Sequence, residues 1–425
     1  MIDDFAPKPR KKPKSLEYKP VYREHAIPEM KKNDEPRFVP PEKIDTPVLN
    51  EGVERSVPPI SNPTKTPKQY FIQYKRLRLN KWQTIVVAVV LLLLIGGGIS
   101  VALTRPNAKG GVHLSKQPPK PVPAKPVIVL STLTGLPVSD ASVNQKPVTG
   151  IMIENSTDAR PQSGLDQAGV VFEAVAEGGI TRFLALYQDT APVYVGPVRS
   201  ARPYYVQWCM GFDCSLAHVG GSPEALSDIQ TWGTKNLDQF ANGNFYQRIS
   251  SRYAPHNVYT SIQQLNQLEA NKAYGASSYT GFTRKSDVPS KTPNAANIDF
   301  AISGYYYNVH YTYDPATNSY ARSEGGAAHT QLNKDGSSVQ IKPKVVVALI
   351  MQQGIEADDK HSTYNVIGSG QAYIFQDGIV TAASWTKSDM KSQLQLIDAN
   401  NKAIPLNAGQ TWFTAVGNSS GVVYK

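Results

Sequence analysis

The longest apolar stretch of the chain runs from Ile85 to Thr104, twenty residues without a charged side chain. At about 1.5 Å per residue, a helix of this length spans roughly 30 Å, which is the thickness of the hydrocarbon core of a bilayer. A buried core helix would show a polar stripe, and this run has none. The pattern predicts a transmembrane helix over residues 82–104, with Trp82 as an interfacial anchor.

Positive charges flank this run unevenly. Four lysines and arginines stand between residues 75 and 81, whereas Arg105 and Lys109 are followed by a sparsely charged stretch. Because the cytoplasmic side carries the excess of positive charge, we expect a single-pass protein of the cell membrane with its N-terminus in the cytoplasm and its C-terminal part extracytoplasmic. About eighty polar residues precede the run, which indicates an uncleaved signal anchor rather than a cleaved signal peptide.

Residues 1–81 carry 18 Lys and Arg against 11 Asp and Glu, so they hold +7 of the chain's net charge of +10. The segment is rich in Pro and Lys and has no periodic apolar positions, so it cannot bury enough surface to offset the entropy of ordering. We expect a disordered, basic cytoplasmic tail that is attracted to the anionic lipids of the bilayer. Nothing in it resembles a folded nucleic-acid reader.

After the membrane, residues 105–130 are Pro-rich and predict an extended spacer. Residues 131–282 then alternate strand-like and helix-like runs, which predicts an extracellular domain of the α/β or α+β class. Strands are expected over 147–155, 168–178, 181–189, 192–200 and at CSLAHVGG. Helices are expected from Pro203, after an N-cap at Ser222, and after a capping box formed by Thr260 and Gln263, with Gly275 as the C-cap of the last.

A polar linker over residues 283–299 precedes a segment, 300–425, that is almost entirely strand-like and predicts a mostly antiparallel β domain. Alternation places Tyr305, Tyr307, Val309, Tyr311 and Tyr313 on one face of a strand. The dipeptide Asp377-Gly378 is the strongest turn signal in the chain and predicts a two-residue hairpin.

The motif EAVAEGGITRF concentrates charge on two predicted strands. If Gly178-Gly179 is the hairpin loop, Glu177 pairs with Ile180, and Arg182 lies between Glu173 and Glu177 on one face. Two interpretations follow: a structural ion pair, or the charged floor of a cleft.

The motif GPVRSARPYY places Arg199 and Arg202 in the loop before a helix that begins at Pro203. Two cations there face the positive end of the helix dipole, which is unfavourable unless an anion lies nearby. That anion is either internal (Glu154, Glu173 or Glu177) or a ligand that carries phosphate or carboxylate. With Arg160 and Arg252, these arginines form a candidate cluster of five guanidinium groups, which also includes Arg182.

His218 and His256 offer acid–base or metal chemistry, but no metal-binding spacing accompanies them, so structural roles are favoured and neither a metal nor another cofactor is predicted. Cys209 and Cys214 permit a local disulfide outside the membrane, a point that spacing leaves open. The complete set of candidate ligand-binding residues is Arg160, Glu173, Glu177, Arg182, Arg199, Arg202, His218, Arg252, His256 and Asn257.

Four motifs of the first half, IMIENSTDARPQSGLDQAGVVFEAVAEGGITRFLALYQ, VGPVRSARPYY, HVGGSPEAL and APHNVYT, resemble the YerB-like bacterial envelope proteins. VHYTYDPATNSYAR and YNVIGSGQAYIFQDGIVTAASW extend the resemblance over residues 130–420. It implies two successive domains of unknown function, generally carried on lipoproteins at the outer face of a Gram-positive-type membrane. The predicted transmembrane anchor departs from that pattern, so lipid attachment is not carried over, and the resemblance implies no catalytic residues.

Three functions are compatible with these features. The first is a membrane-tethered module that binds an anionic cell-wall or envelope component through an arginine-rich cleft. The second is an envelope phosphotransferase or hydrolase that acts on a wall-polymer precursor, with Glu154, Glu173 and Glu177 as acid–base groups; the single-crossing topology is similar to that of LytR-type ligases, whose signature is not matched. The third is a scaffold that recruits an envelope or division protein.

Overall fold

The computed structural model describes residues 128–425. The predicted cytoplasmic tail and transmembrane helix, and nearly all of the spacer over 105–130, lie outside the described residues. From residue 128 onward, no helix combines the length and the apolar character that a membrane crossing requires. The described part is mostly β-structure.

The first half combines seven strands with the three α-helices found in the described residues. The strands are β1 (Thr149–Glu154), β2 (Val170–Glu177), β3 (Ile180–Tyr187), β4 (Ser215–His218), β5 (Lys235–Asp238), β6 (Gln247–Arg248) and β7 (Val258–Tyr259). The helices are α1 (Pro203–Met210), α2 (Pro223–Thr231) and α3 (Ile262–Asn271).

The second half consists of strands joined by turns. These strands are β8 (Arg284–Lys285), β9 (Asn297–Phe300), β10 (Val309–Asp314), β11 (Ser319–Glu324), β12 (Ala327–Ala328), β13 (Thr330–Leu332), β14 (Ser338–Gln340), β15 (Val345–Ile350), β16 (Gln353–Ile355), β17 (Ser362–Tyr364), β18 (Gly368–Gln376), β19 (Ile379–Lys387), β20 (Gln395–Ile397), β21 (Leu406–Asn407), β22 (Thr411–Val416) and β23 (Val422–Tyr424).

One ten-stranded sheet contains strands from both halves, in the order β20-β19-β18-β15-β22-β2-β3-β1-β4-β5. Strand β22 joins the halves because it pairs in parallel with β15 on one side and with β2 on the other. A second sheet, of order β12-β11-β10-β9-β23, belongs to the second half. Most strand pairs after residue 300 are antiparallel. The domain boundary over 283–299 stays a prediction.

Apolar side chains cover both faces of the large sheet. On one face Phe172 stacks between Trp208 of α1 and Phe413 of β22, with ring centroids 4.9 and 4.8 Å apart. On the other, Trp412 meets Phe183 edge to face at 5.3 Å. Burying a large apolar side chain contributes about 2–3 kcal/mol. The successive residues Trp412 and Phe413 of β22 therefore pack into core layers on opposite faces of the sheet, as the alternation of side chains along a strand requires.

Local signals in the sequence gave mixed results. The hairpin at Asp377-Gly378 is confirmed: the two residues have φ of 58° and 78°, and Gln376 pairs with Ile379. The N-cap at Ser222 is confirmed as well, since its side chain accepts a hydrogen bond from the amide of Ala225.

The capping box at Thr260 is wrong. Ser261 caps α3 instead and accepts from the amide of Gln264, while Ala273, with φ of 55°, adopts the left-handed conformation expected of Gly275. Two strand predictions also fail. Residues 192–200 form only isolated bridges, and Tyr305–Tyr307 is a 3-10 turn, so the predicted alternation begins at Val309.

Candidate functional site

The charged residues singled out by the sequence meet where β1, β2 and β3 approach the N-terminus of α1. Arg182 Nη2 lies 2.6 Å from Glu177 Oε1, and Arg202 contacts the other oxygen of the same carboxylate. Arg182 Nη1 also donates to the carbonyl of Ser200 at 3.0 Å, in the loop that leads into α1. One glutamate thus bridges two arginines that are almost fully buried.

A register shift in the β2–β3 hairpin corrects the predicted arrangement. Glu177 pairs with Ile180 as expected, but Val175 pairs with Thr181 because the ladder slips by one residue at Ala176. Such a bulge changes which side chains share a face. Glu173 lies beside Thr181, 3.3 Å from its hydroxyl, on the face opposite to Arg182. Glu173 and Glu177 therefore do not flank Arg182 together.

A second carboxylate, Glu154, ends β1 directly opposite Arg182 in the β1–β3 ladder. Its Oε1 atom lies 3.2 Å from Arg199 Nε and 3.0 Å from His256 Nδ1, and it accepts a hydrogen bond from the hydroxyl of Ser156 at 3.0 Å. We call Glu154, Glu177, Arg182, Arg199 and Arg202 the arginine cluster.

The cluster holds three guanidinium groups against two carboxylates. Burial would raise the pKa of Glu177, but Arg182 and Arg202 outweigh burial and lower that pKa, so the carboxylate stays ionised. Burial lowers the pKa of Arg202. Four buried polar atoms of the cluster have no hydrogen-bond partner among the described residues: Glu154 Oε2 and the Nε atoms of Arg182, Arg199 and Arg202. The contact of Arg199 Nε with Glu154 is therefore an ion pair without hydrogen-bond geometry. The fold therefore satisfies this group incompletely.

Ser156, His256 and Glu154 do not form a nucleophile relay. The hydroxyl of Ser156 lies 3.3 Å from His256 Nδ1, the same nitrogen that contacts Glu154, and it donates to that carboxylate. In a hydrolytic triad, the nucleophile and the acid use opposite nitrogens of the imidazole. This geometry orients His256 but does not activate Ser156.

Arg160 and Arg252 lie beside the segment that follows Glu154 rather than within the cluster. Arg160 pairs with Glu324 at 3.3 Å and stacks over the ring of Tyr307. Arg252 donates to the backbone carbonyls of residues 158 and 161, and no carboxylate within residues 128–425 pairs with it. Asn257 donates to the carbonyl of Arg252 and thereby supports this loop. The five predicted guanidinium groups thus divide into three and two.

His218 has a structural arrangement. It is fully buried, with Nδ1 2.8 Å from the carbonyl of Gly220 and Nε2 3.0 Å from Asn236 Oδ1. Both ring nitrogens are occupied, so neither is open to a ligand.

A second charged network was missed by the sequence reasoning. Glu173 pairs with Arg322 of β11, and Glu324 and His329 lie beside them in the interior. Burial and the nearby Glu173 raise the pKa of Glu324 to about 7, and burial lowers the pKa of His329. Alternation in SYARSE was the available signal, because it places Arg322 and Glu324 on the same face as the buried Tyr320.

One group in the described residues has metal-like spacing: ligand atoms of Glu356, Asp358 and His361 lie within 4.8 Å of one another. Each has an internal contact, since Ser222 donates to Glu356 at 3.0 Å and His361 contacts Asp358. The group needs no ion to account for it.

Cys209 and Cys214 form a disulfide with Cα atoms 5.2 Å apart, which settles the question that spacing left open. The bridge ties the C-terminal end of α1 to the residue before β4, and both sulfur-bearing side chains are buried.

Comparison with known proteins identifies the family. Residues 133–277 match a model described as the N-terminal domain of a protein of unknown function (DUF3048), and residues 297–413 match the corresponding C-terminal domain. A relative named "Putative lipoprotein YerB" from Bacillus subtilis (strain 168) is 30% identical over 288 residues, which cover 67% of this chain and 85% of the relative. The crystal structure of YerB from Bacillus subtilis is similar with a TM-score of 0.62 at 27% identity, over 70% of this chain and 99% of that one. The chain therefore belongs to the DUF3048 family of two-domain, YerB-like proteins.

Proposed function

We propose that this chain is an envelope protein, held at the membrane with residues 105–425 outside the cell, that binds an anionic envelope polymer through the arginine cluster and performs no reaction on it. The name of the Bacillus subtilis relative, a lipoprotein, supports the location at the envelope. The apolar run over residues 85–104 and its basic flank support the orientation.

The observation that carries the proposal is the excess of positive charge at the cluster. Arg182, Arg199 and Arg202 share two carboxylates, so one charge is uncompensated. Arg252 adds another beside the cluster, since it donates only to backbone carbonyls within the described part of the chain. Guanidinium groups bind phosphate and carboxylate through paired, charge-assisted hydrogen bonds. Arg199 is the most open of the three, with 24% of its side chain exposed.

The contacts of Ser156 and His256 favour binding over catalysis. Because Glu154 and Ser156 compete for one imidazole nitrogen, His256 does not prepare the hydroxyl of Ser156 as a nucleophile. Glu173, a candidate acid–base group, is fully buried against Arg322 and cannot reach a polymer.

The test is calorimetric titration of the full-length protein, in a neutral detergent, with poly(glycerol phosphate). We expect saturable binding that weakens as salt is raised, because salt screens exposed charges. Replacing Arg199 or Arg252 with Ala is expected to weaken binding about tenfold, the value of one hydrogen bond to a charged group. Arg199→Lys keeps the positive charge but lacks the planar guanidinium group. Its affinity is expected to lie between that of wild type and that of Arg199→Ala.

Lys402→Ala is the matched control, because Lys402 is an exposed cation in the turn after β20 and does not belong to the arginine cluster. It is expected to bind as wild type does. Equal affinity of wild type, Arg199→Ala and Arg252→Ala would remove the basis of the proposal.

A further inference from the structure

Two adjoining cavities lie away from the arginine cluster and share Ser278 and Lys391 in their walls. Their volumes are about 560 and 290 Å³. The disulfide loop after α1, the turn after α2, residues 278–280 and the loop between β19 and β20 enclose them. We propose that this groove binds a glycan: a chain of hydroxylated sugar rings that carries a carboxylate. The proposal does not rest on the arginine cluster.

The groove is lined mainly by hydroxyl and amide groups, which suit a partner rich in hydroxyls because each can donate and accept. Asp213, the carboxylate in the lining, is already occupied: Lys235 Nζ lies 2.9 Å from its Oδ2 atom, and the amide of Ser278 donates to that oxygen at 3.0 Å. The hydroxyl and amide side chains include Thr234, Ser278, Thr280, Thr386, Gln393 and Gln395.

Each cavity also contains a buried polar atom without a partner among the described residues. Gln393, 7% exposed, accepts a hydrogen bond from the amide of Gly281 at 2.9 Å, but its Nε2 atom has no acceptor. The hydroxyl of Thr234, 9% exposed, is likewise unpaired. Buried polar groups that are left unsatisfied in this way destabilise the folded protein. Both atoms are shielded from solvent, so each gains a partner only when its side chain rotates toward a hydroxyl group of a bound ligand.

Aromatic rings and one charge refine the class of ligand. Trp232 lines the smaller cavity and Tyr279 the larger, and both are partly exposed, so each offers aromatic surface for contact with a sugar ring. Lys391 is exposed at the junction and has no acidic partner in residues 128–425. It is the cation in the groove that an internal carboxylate does not neutralise, and it fits a carboxylate on the glycan.

The loop that carries Lys391 is fixed by a buried cation. Lys387 Nζ donates to the carbonyls of Met390 and Ser392 at 2.8 and 2.5 Å, and burial lowers its pKa to about 8. These bonds hold residues 390–392 in one conformation, so the junction of the two cavities is formed before a ligand arrives.

The proposal is tested by calorimetric titration of the full-length protein with two soluble probes. One probe is glycan strands released from peptidoglycan by an amidase, which carry the carboxylate of N-acetylmuramic acid. The other is chitohexaose, a glycan without a carboxylate. We expect both to bind, with glycan strands at least tenfold tighter per binding site. Lys391→Ala is expected to abolish that preference, so that glycan strands and chitohexaose bind the variant with similar affinity.

Three further variants, at two residues, test the groove itself. Trp232→Ala is expected to weaken both probes more than tenfold, and Trp232→Phe to retain most of the affinity; Thr234→Val removes the unpaired hydroxyl without changing shape and is expected to weaken both by several fold. Lys402→Ala is the control. Absence of saturable binding by either glycan, or binding that none of these variants alters, would overturn the proposal. Neither result would affect the binding of poly(glycerol phosphate) at the arginine cluster.

Discussion

Arg322 and Glu173 form an ion pair whose two side chains are both fully buried, with Nη2 2.9 Å from Oε1. They lie 149 residues apart in sequence, on β11 and β2. Trp412 donates its indole N–H to the other oxygen of Glu173 at 3.0 Å, and the guanidinium carbon of Arg322 lies 4.6 Å from the centre of the Trp412 ring. Burial alone would lower the pKa of Arg322, but Glu173, Tyr311 and Glu324 together outweigh burial and raise that pKa. This pair links the two halves.

Breaking the Arg322–Glu173 pair is expected to be costly. Arg322→Met leaves a carboxylate buried without its cation, and Glu173→Gln does the converse, so each is expected to lower the free energy of unfolding by about 3–5 kcal/mol. The double variant removes both charges, so its free energy of unfolding is expected to fall by less than the sum of the losses in the two single variants. Urea unfolding of the full-length protein in detergent measures all three values.

The matched control is the ion pair of Lys344 and Asp287, whose atoms lie 2.7 Å apart with about 30% of each side chain exposed. Lys344→Met is expected to cost less than about 1 kcal/mol, because water already solvates and screens this pair. Equal losses at the exposed and buried pairs would contradict the structural role assigned to Arg322 and Glu173.

Stability is expected to depend on pH through Glu269 of α3. Burial raises the pKa of Glu269 to about 7, and only Oε1 receives a hydrogen bond within the described chain, from the hydroxyl of Thr149 at 3.0 Å. A carboxyl whose pKa is higher in the folded state contributes stability below its unfolded value of 4.5, and that stability is lost as pH rises through 7. The contribution corresponds to about 3 kcal/mol.

Glu269→Gln, which cannot ionise, is the variant that isolates this effect. Its free energy of unfolding is expected to fall less between pH 4.5 and pH 8 than that of wild type, with a difference of about 3 kcal/mol across the interval. Glu324, whose pKa is also raised, likewise makes stability fall as pH rises, whereas His329, whose pKa is lowered, makes stability rise with pH in a lower range. For this reason the variant is compared with wild type at each pH. Parallel pH profiles would show that folding does not raise the pKa of Glu269.

Elements with local causes could be predicted from the sequence. The turn at Asp377-Gly378 needs two residues that accept positive φ, and the start of α2 needs the Ser222 cap followed by Pro223. In both elements the residues that meet the requirement are adjacent in sequence. The cap of α3 failed by one position because Thr260 and Ser261 are both competent, and only the fold decides which one has extended backbone beside the helix.

Long-range pairing could not be predicted in this way. Strand β22 lies between β2 and β15 although more than 230 residues separate it from β2, and no local pattern encodes that choice. No sequence pattern indicates the register shift at Ala176 either. This shift places Glu173 in the interior and Glu177 in the arginine cluster. The sequence analysis placed Glu173, Glu177 and Arg182 on one face, whereas the structure divides the two glutamates between the two faces.

Reduction of the disulfide is expected to lower stability and weaken the groove together. The bridge closes a short loop, for which the chain-entropy model gives about 2 kcal/mol. Met210, Asp213 and Cys214 line the smaller cavity, so loosening the loop also displaces groove walls. Treatment with a reductant is expected to lower the free energy of unfolding by about 2 kcal/mol and to weaken binding of glycan strands.

The variant in which both Cys209 and Cys214 are Ser provides the control for reductant. It is expected to behave as the reduced wild type with or without the reagent. If reductant lowers the stability of this variant equally, the effect does not come from the bridge.

Glu177 is expected to act as an internal competitor of the bound anion. Its carboxylate contacts both Arg182 and Arg202, the groups that an added phosphate would neutralise. Glu177→Gln leaves both arginines without their shared acid, so the free energy of unfolding is expected to fall by about 2 kcal/mol, less than for a fully buried pair because 23% of this side chain is exposed. The affinity for poly(glycerol phosphate), measured by calorimetry, is expected to rise about tenfold.

Opposite directions for stability and binding distinguish a ligand site from a structural ion pair. If Glu177, Arg182 and Arg202 serve the fold alone, the variant loses stability and gains no affinity. Glu224→Gln is the matched control, since it removes an exposed carboxylate from the first turn of α2 and changes the net charge equally. Because its charge lies outside the arginine cluster, any gain in affinity it shows reflects the general potential of the surface, and only the excess of Glu177→Gln over Glu224→Gln counts toward the cluster.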